Sequence, residues 1–378
     1  MILTAAVISD IHFGAIKPNT LYNELKTQFL DFIKERYIDM IVICGDFYNS
    51  IISLNSQTAI TSFDFINELI AICENNGIKY VRIIEGTLSH DNYQILNFRM
   101  HEANTKVDFK VITTVCSEVI ENQISILYIP EEYMTDIYEY YKKYLVKDKK
   151  YYDLIFGHGM FKETSFTEEE GETNISRAPI WSSKLLTSLC KGPIFFGHIH
   201  TSQIIRKHIY YTGSFSRWVY GQEEAKGFYI FAYDSDSHKY IAEFIENKLA
   251  RLYDTMVIHL SAFKGSIESL INLIKDKRRE YLRIKVLIEN TDRDLSYDLS
   301  ILREYFSGKP LFKIDIIDLR QKEKQRELEE KVNKLFSDYD FIFDKDISIE
   351  VKLHKFIKRK YDKELSIEKI KSLLNNEK

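Results

Sequence analysis

Residues 2–9 form a largely apolar run that stops at Asp10, the pattern of a strand covered on both faces. Over 21–36, Leu21, Leu25, Phe29, Phe32 and Ile33 fall at helical spacing. A second buried strand spans 40–44. A helical stripe follows through Phe63, Phe65, Ile66, Leu69, Ile70 and Ile72, and Gly77 ends it. A third strand covers 79–84. Alternation of strand and helix is the α/β pattern. In such sheets ligands gather beyond the carboxyl ends of the strands.

The pattern continues with strands at 107–114 and 124–129, a helix over 135–145 and a buried strand at 154–156. The acidic stretch 168–172 reads as a solvated loop. A short helix over 182–189 leads to the apolar run 193–196. Segments 203–206, 209–211, 227–233 and 240–245 read as antiparallel strands closing a second sheet. Residues 248–253 read as a linker. Beyond it, strands at 281–289 and 311–317 alternate with helices at 265–277 and 295–306, a small α+β domain. After Arg320 the chain is mixed in charge, with narrow apolar stripes at Leu328, Val332, Leu335 and Phe336, at Ile349, Leu353, Phe356 and Ile357, and at Ile370, Leu373 and Leu374. The expected division is therefore 1–250, 251–319 and 320–378.

Composition narrows the class. The 378 residues are 45% hydrophobic and 29% charged, a globular balance. Lys+Arg 52 against Asp+Glu 56 gives −4, which excludes a strongly basic coat but not a local basic groove. One such cluster is Lys275, Lys277, Arg278, Arg279, Arg283 and Lys285; it suits phosphate contact or a solvated helix end. Cys44, Cys73, Cys116 and Cys190 lack Cys-x-x-Cys spacing and read as reduced, mostly buried thiols. No apolar stretch reaches the ~20 residues of a membrane span, and a cytoplasmic location is expected.

The chemistry sits at the strand ends. Asp10 and His12, Asp46, His90, His158, and His198 with His200 each follow an apolar run. Singly, Asp10 also suits a turn cap, Asp46 a turn, and His90 the surface. Together they form a set able to hold divalent transition ions. His101, His208, His238, His259 and His354 lack such a position. Ser214 and Arg217 lie in a loop suited to contacting phosphate, although Arg217 and Trp218 also suit a packed cation–π pair.

Asp10-x-His12, Gly45-Asp46, Ser89-His90-Asp91, Gly157-His158 and Gly197-His198-x-His200 resemble the five motifs of the calcineurin-like metallophosphoesterases over residues 1 to 245. With Tyr211-Thr212-Gly213-Ser214, they resemble more narrowly the SbcD-type nucleases of DNA double-strand-break repair and recombination, bacterial or phage. The resemblance implies a two-sheet α/β sandwich with flanking helices, a small α+β capping domain and a C-terminal helical segment. It implies two divalent ions, most often Mn2+, one on Asp10, His12, Asp46 and His200, the other on Asp46, His158 and His198. His90 would be the general acid, oriented by Asp91. The family's third motif reads Gly-Asn-His-Asp, with the Asn a ligand of the second ion. Here two more residues follow Gly86, and Ser89 stands in the Asn place; either Ser89 ligates, or water or Asp91 takes its part.

The function so implied is a DNA exo/endonuclease subunit working with an SMC-like ATPase of the SbcC type, bound through the C-terminal helices, with a homodimer admitted. Two other readings are open: a phosphoesterase of nucleotides or other small molecules, and a non-catalytic scaffold with a degraded site. A basic domain and partner-like helices favour the nuclease, since a small substrate needs neither.

Overall fold

The computed structural model describes residues 1–132, 142–145, 151–163, 180–276, 281–289, 295–309, 312–319, 340–342 and 344–375. The chain divides into two compact units, the first centred on Met1–Thr255 and the second beginning at Met256.

The first unit is a sandwich of two six-stranded sheets. Strands β1 (Ile2–Ile8), β2 (Met40–Cys44), β3 (Tyr80–Ile84) and β4 (Asp108–Ile112) run parallel in one sheet. The other takes β5 (Cys116–Ile120), β6 (Ile124–Ile129), β7 (Leu154–His158), β10 (Ile194–Gly197), β11 (Gln203–Ile205) and β12 (Ile209–Tyr211), in the order β11-β12-β10-β7-β6-β5. A short parallel pair, β8 (Met160–Phe161) and β9 (Ile180–Trp181), stands apart. This is the mixed α/β architecture expected of a metallophosphoesterase sandwich.

One expectation is corrected. Strands β13 (Gly227–Asp234) and β14 (Tyr240–Glu246) do not close the second sheet. They join the first in the order β14-β13-β1-β2-β3-β4, with β13 antiparallel to β1 from Ile2↔Asp234 to Val7↔Tyr229. The pairing covers what would otherwise be an open edge of β1. Moreover, β12 pairs parallel, not antiparallel, with β10.

Three apolar layers result. Leu3, Ala5, Val7 and Val42 meet Ile126, Tyr128, Phe156 and Phe195 between the sheets. Helical residues Leu25, Phe29, Phe65 and Leu69 cover the outer face of the first sheet. Leu186 and Trp181 pack against Ile155, Ile194 and Phe196 on the other side. Strand β2 is buried on both faces, which explains its unbroken apolar run. Pro18 opens the helical stretch Pro18–Glu24. Helix Gln57–Asn76 is capped by Ser56, whose hydroxyl accepts from Ala59 N–H at 3.2 Å, and closed by Gly77 at φ 71°.

The second unit takes in most of a three-stranded sheet of Tyr253–His259, Tyr281–Ile288 and Phe312–Asp318, most of helix Ile267–Asp276, and helix Ser296–Phe306. Helices Ile349–Tyr361 and Ile367–Asn375 fall in the same unit. The 328–336 stripe, the 168–172 loop, Lys277, Arg278, Arg279 and most of the 135–145 helix lie outside the described residues; Lys142–Leu145 is helical. No helix among the described residues is long and apolar enough to cross a membrane.

Candidate metal centre

Pairing between β1 and β2 continues past the strand ends. Asp10 N–H donates to Gly45 O at 3.1 Å, His12 N–H to Asp46 O at 3.0 Å and Phe13 N–H to Phe47 O at 2.8 Å. This sets Asp10, His12 and Asp46 side by side. In the other sheet, β7 and β10 run parallel with His158 opposite Gly197, which brings His158 beside His198. Asp10 links the two ends by accepting His198 N–H at 3.0 and 3.2 Å.

Asp10, His12, Asp46, His158, His198 and His200 are all buried. Their donor atoms gather in overlapping groups. Those of Asp10, His12 and His200 lie within 4.8 Å of one another, as do those of Asp46, His158 and His198, and those of His12, Asp46 and His90. Asp46 faces both sides: Oδ1 is 3.3 Å from His158 Nε2, and Oδ2 is 3.8 Å from His12 Nε2. His200 Nε2 stands 3.2 Å from His12 Nε2 and 3.9 Å from Asp10 Oδ1.

The backbone is bent to achieve this. Asp10, His12 and Asp46 sit at φ 48°, 52° and 48°, and His198 at 97°. Such conformations cost about 1–3 kcal/mol each and persist where surrounding structure enforces them, often at functional sites. Gly45, at φ 81°, lies so close to the His158 ring and to Gly86 that no side chain fits there.

The electrostatics suit cations. Burial lowers His12 to about 3, against the pull of Asp46, and holds His200 well below its ordinary value, with His12 and Lys226 adding to the effect. Both rings are therefore neutral, and two desolvated imidazole nitrogens face each other. At His158 burial also works downward, but the charge and hydrogen bond of Asp46 prevail and raise it to about 10. A divalent ion would replace that proton. His158 Nδ1 lies 2.7 Å from Cys44 O. A carbonyl only accepts, so Nδ1 carries a hydrogen and Nε2 can present its lone pair to an ion. The donor set of carboxylates and imidazoles thus fits Mn, Fe or Zn.

Four sequence expectations meet a different arrangement. Ser89 is exposed. The chain turns at Thr87, whose carbonyl accepts both His90 N–H and Asp91 N–H at 2.9 Å, so Thr87 points inward and Ser89 outward. Asp91 does not orient His90. Its carboxylate accepts Tyr48 N–H at 2.9 Å and Gly86 N–H at 2.8 Å. The His90 ring is held instead by Asn49 O, 2.6 Å from Nδ1, and lies edge-on to His12 at 4.8 Å between centroids. Arg217 is buried, and its guanidinium donates to Glu224 O and Ala250 O at 3.1 Å. These bonds tie the guanidinium to the main chain. Ser214 is likewise buried, its hydroxyl 3.0 Å from Ser216 O. Trp218 lies over His12 and His200, 4.5 and 4.9 Å between centroids.

Two further residues stand at the cluster. Thr87 donates its N–H to Asp46 Oδ1 at 2.6 Å, and its hydroxyl is 3.3 Å from Asp46 Oδ2. Glu131 is buried, with Oε2 3.0 Å from His198 Nδ1. Burial works to raise its carboxyl, but His198 and His158 hold it below its ordinary value. Glu131 follows β6 by two residues, a strand-end position like those of the other ligand-type residues.

No family model matches the chain, and no curated protein does. Among solved structures, a phosphatase of Mycoplasma pneumoniae is similar at 14% identity, covering 65% of this chain and 94% of that one with a TM-score of 0.34. A glutamine-dependent NAD+ synthetase of Acinetobacter baumannii is similar at 11% identity, covering 94% and 70%, with a TM-score of 0.32. Likenesses this low do not bear on the chemistry of the site.

Proposed function

We propose that the chain is a metal-dependent phosphodiesterase acting on DNA, a nuclease subunit of the SbcD type that works with an SMC-like ATPase in end processing, repair or recombination. The observation that carries the reading is Asp46, buried between two groups of ligand-type side chains. Two divalent ions, Mn2+ foremost, would be held by Asp10, His12, Asp46 and His200 on one side and by Asp46, His158 and His198 on the other. When bound, such a pair supplies Lewis acidity to a phosphoryl group and lowers the pKa of water toward neutrality.

The chain's own residues do the rest. The Cys44 carbonyl fixes the His158 tautomer. The Asn49 carbonyl keeps a hydrogen on His90 Nδ1, so Nε2 is the atom that would protonate the departing oxygen. Arg283 and Lys285 alternate with buried Leu282, Ile284 and Val286, and so share a half-buried strand face suited to phosphate contact. Helices Ile349–Tyr361 and Ile367–Asn375 expose Ile349, Leu373 and Leu374, apolar positions that suit docking on an ATPase coiled coil. A homodimer belongs to the same reading.

The test is digestion of linear, nicked and circular DNA with Mn2+, with and without an ATPase partner. Degradation of linear duplex that a chelator stops is the expected result. Turnover of nitrophenyl phosphates with DNA untouched would overturn the nuclease reading. Removal of the residues after 320 should spare Mn2+-dependent cleavage and abolish co-purification with the ATPase.

A further inference from the structure

We infer that Glu131 is a ligand of the second ion, acting with the Thr87 hydroxyl in place of the amide that the third motif lacks. The inference rests on the two-ion reading above and adds a donor to it.

The argument is geometric. Donors about 2.1 Å from a shared ion stand about 3.0 Å apart on an octahedron and about 3.4 Å apart on a tetrahedron. Glu131 Oε2 is 3.0 Å from His198 Nδ1, 3.3 Å from Thr87 Oγ1 and 3.7 Å from His158 Nε2. Thr87 Oγ1 is 3.3 Å from Asp46 Oδ2, 3.4 Å from His158 Nε2 and 3.3 Å from His198 Nδ1. His158 Nε2 is 3.3 Å from Asp46 Oδ1. Six of these seven spacings lie between 3.0 and 3.4 Å, the separations of donors that share an ion, and the seventh is 3.7 Å; Asp46 turns Oδ1 toward His158 and Oδ2 toward Thr87.

A residue that only orients a ligand sits on the ring nitrogen turned away from the ion, as Cys44 O does on His158 Nδ1. Glu131 instead meets the His198 nitrogen that faces Thr87 and the cluster. Its position is fixed from the backbone, where Glu131 N–H donates to Glu85 O at 3.3 Å. This ties the end of β6 to the loop that carries Thr87. A carboxylate here gives the second ion two anionic oxygen ligands, Asp46 and Glu131. That hardens the site relative to an amide and favours Mn2+ over softer ions.

Calorimetric titration of the metal-free full chain with Mn2+ tests the assignment, with circular dichroism to verify folding. Wild type should take up two ions. Glu131→Ala should keep the first and weaken the second by at least about 100-fold, beyond the ~10–100-fold typical of a residue that merely orients a ligand. Glu131→Gln, which retains an oxygen donor, should lose less. If Glu131→Ala weakens the second ion by under about 100-fold, Glu131 is no ligand, although the two-ion reading stands. If wild type binds fewer than two ions, that reading falls and the assignment with it. Should Glu131→Ala fail to fold, Glu131→Gln decides, and unchanged affinity for the second ion overturns the assignment.

Discussion

The Asp91 carboxylate accepts the backbone N–H of Gly86 at 2.8 Å. Its other oxygen accepts Tyr48 N–H at 2.9 Å. One buried side chain thus clamps the loop after β2 to the loop after β3, and these loops carry Asp46 and Thr87. In Asp91→Ala two buried N–H groups lose their acceptors, at about 1–3 kcal/mol each. Thermal denaturation should show the loss. Metal titration should show affinity falling ~10–100-fold, since loops that hold ligands are freed. A variant that melts lower but binds ions as before would reduce Asp91 to a purely structural residue.

His90 is anchored by a main-chain carbonyl and not by a carboxylate. Replacing it should leave the loops after β2 and β3 in place. His90→Ala is expected to lower DNA cleavage by ~10²–10⁴-fold, the usual worth of a positioned proton donor, while Mn2+ uptake stays largely intact. Single-turnover cleavage beside calorimetry separates the two effects. Loss of one ion together with activity would make His90 chiefly a ligand, as its grouping with His12 and Asp46 allows.

Gly45 and Gly77 make a matched pair. Both have positive φ, 81° and 71°. A methyl group at Gly77 meets nothing within 4 Å, whereas one at Gly45 runs into His158 and Gly86. Gly77→Ala should therefore cost only about 1 kcal/mol, from backbone conformation. Gly45→Ala should destabilise considerably more and lower Mn2+ affinity, because the His158 ring must move. Equal melting shifts in the two variants would contradict the close packing at the site.

Away from the site, the fully buried Arg82 pairs with Glu118 at 2.7 Å and Asp108 at 3.0 Å. Burial works to raise the Glu118 carboxyl, but the hydrogen bond and charge of Arg82, with Lys110 and Tyr128, lower it from 4.5 to about 2. A depressed carboxyl pKa contributes stability that is fully present above the unfolded value and is lost as pH falls through the folded one. The Glu118 contribution should hold above about pH 4.5 and fade toward pH 2. Glu118→Ala, which leaves Arg82 with one acidic partner, should cost about 3 kcal/mol at pH 7. Denaturant melts of both proteins across this range should converge in acid; a constant gap would exclude the titration.

Local pattern made the strand ends legible, and with them Asp10, His12, Asp46, His158, His198 and His200, because a buried parallel strand announces itself as an apolar run with an abrupt stop. Counting back from His90 puts Ser89 in the Asn place, but it fixes a position in the sequence and not where a turn begins. Thr87 starts that turn and so takes the inward place. No motif points to Glu131, even though it follows a strand. The pairing of β13 with β1 joins residues more than two hundred positions apart, and hydrophobic alternation says only that a strand has two faces. Arg217 suits either a phosphate contact or a cation–π pair in sequence, because composition cannot reveal that its guanidinium donates to main-chain carbonyls.

The ligand set draws on both sheets: Asp10, His12 and Asp46 follow strands of the first, and His158, His198 and His200 belong to the second. An ion held by Asp46, His158 and His198 would be a rivet through the sandwich, in a place where the apolar layer gives way to polar groups. Metal loading would then govern the mechanics of the fold as well as its chemistry. Loaded protein should come apart as one block. Stripped of ions, the sheets should loosen first at this seam, and hydrogen exchange at the ends of β1, β2, β7 and β10 should rise ahead of exchange elsewhere in the sandwich.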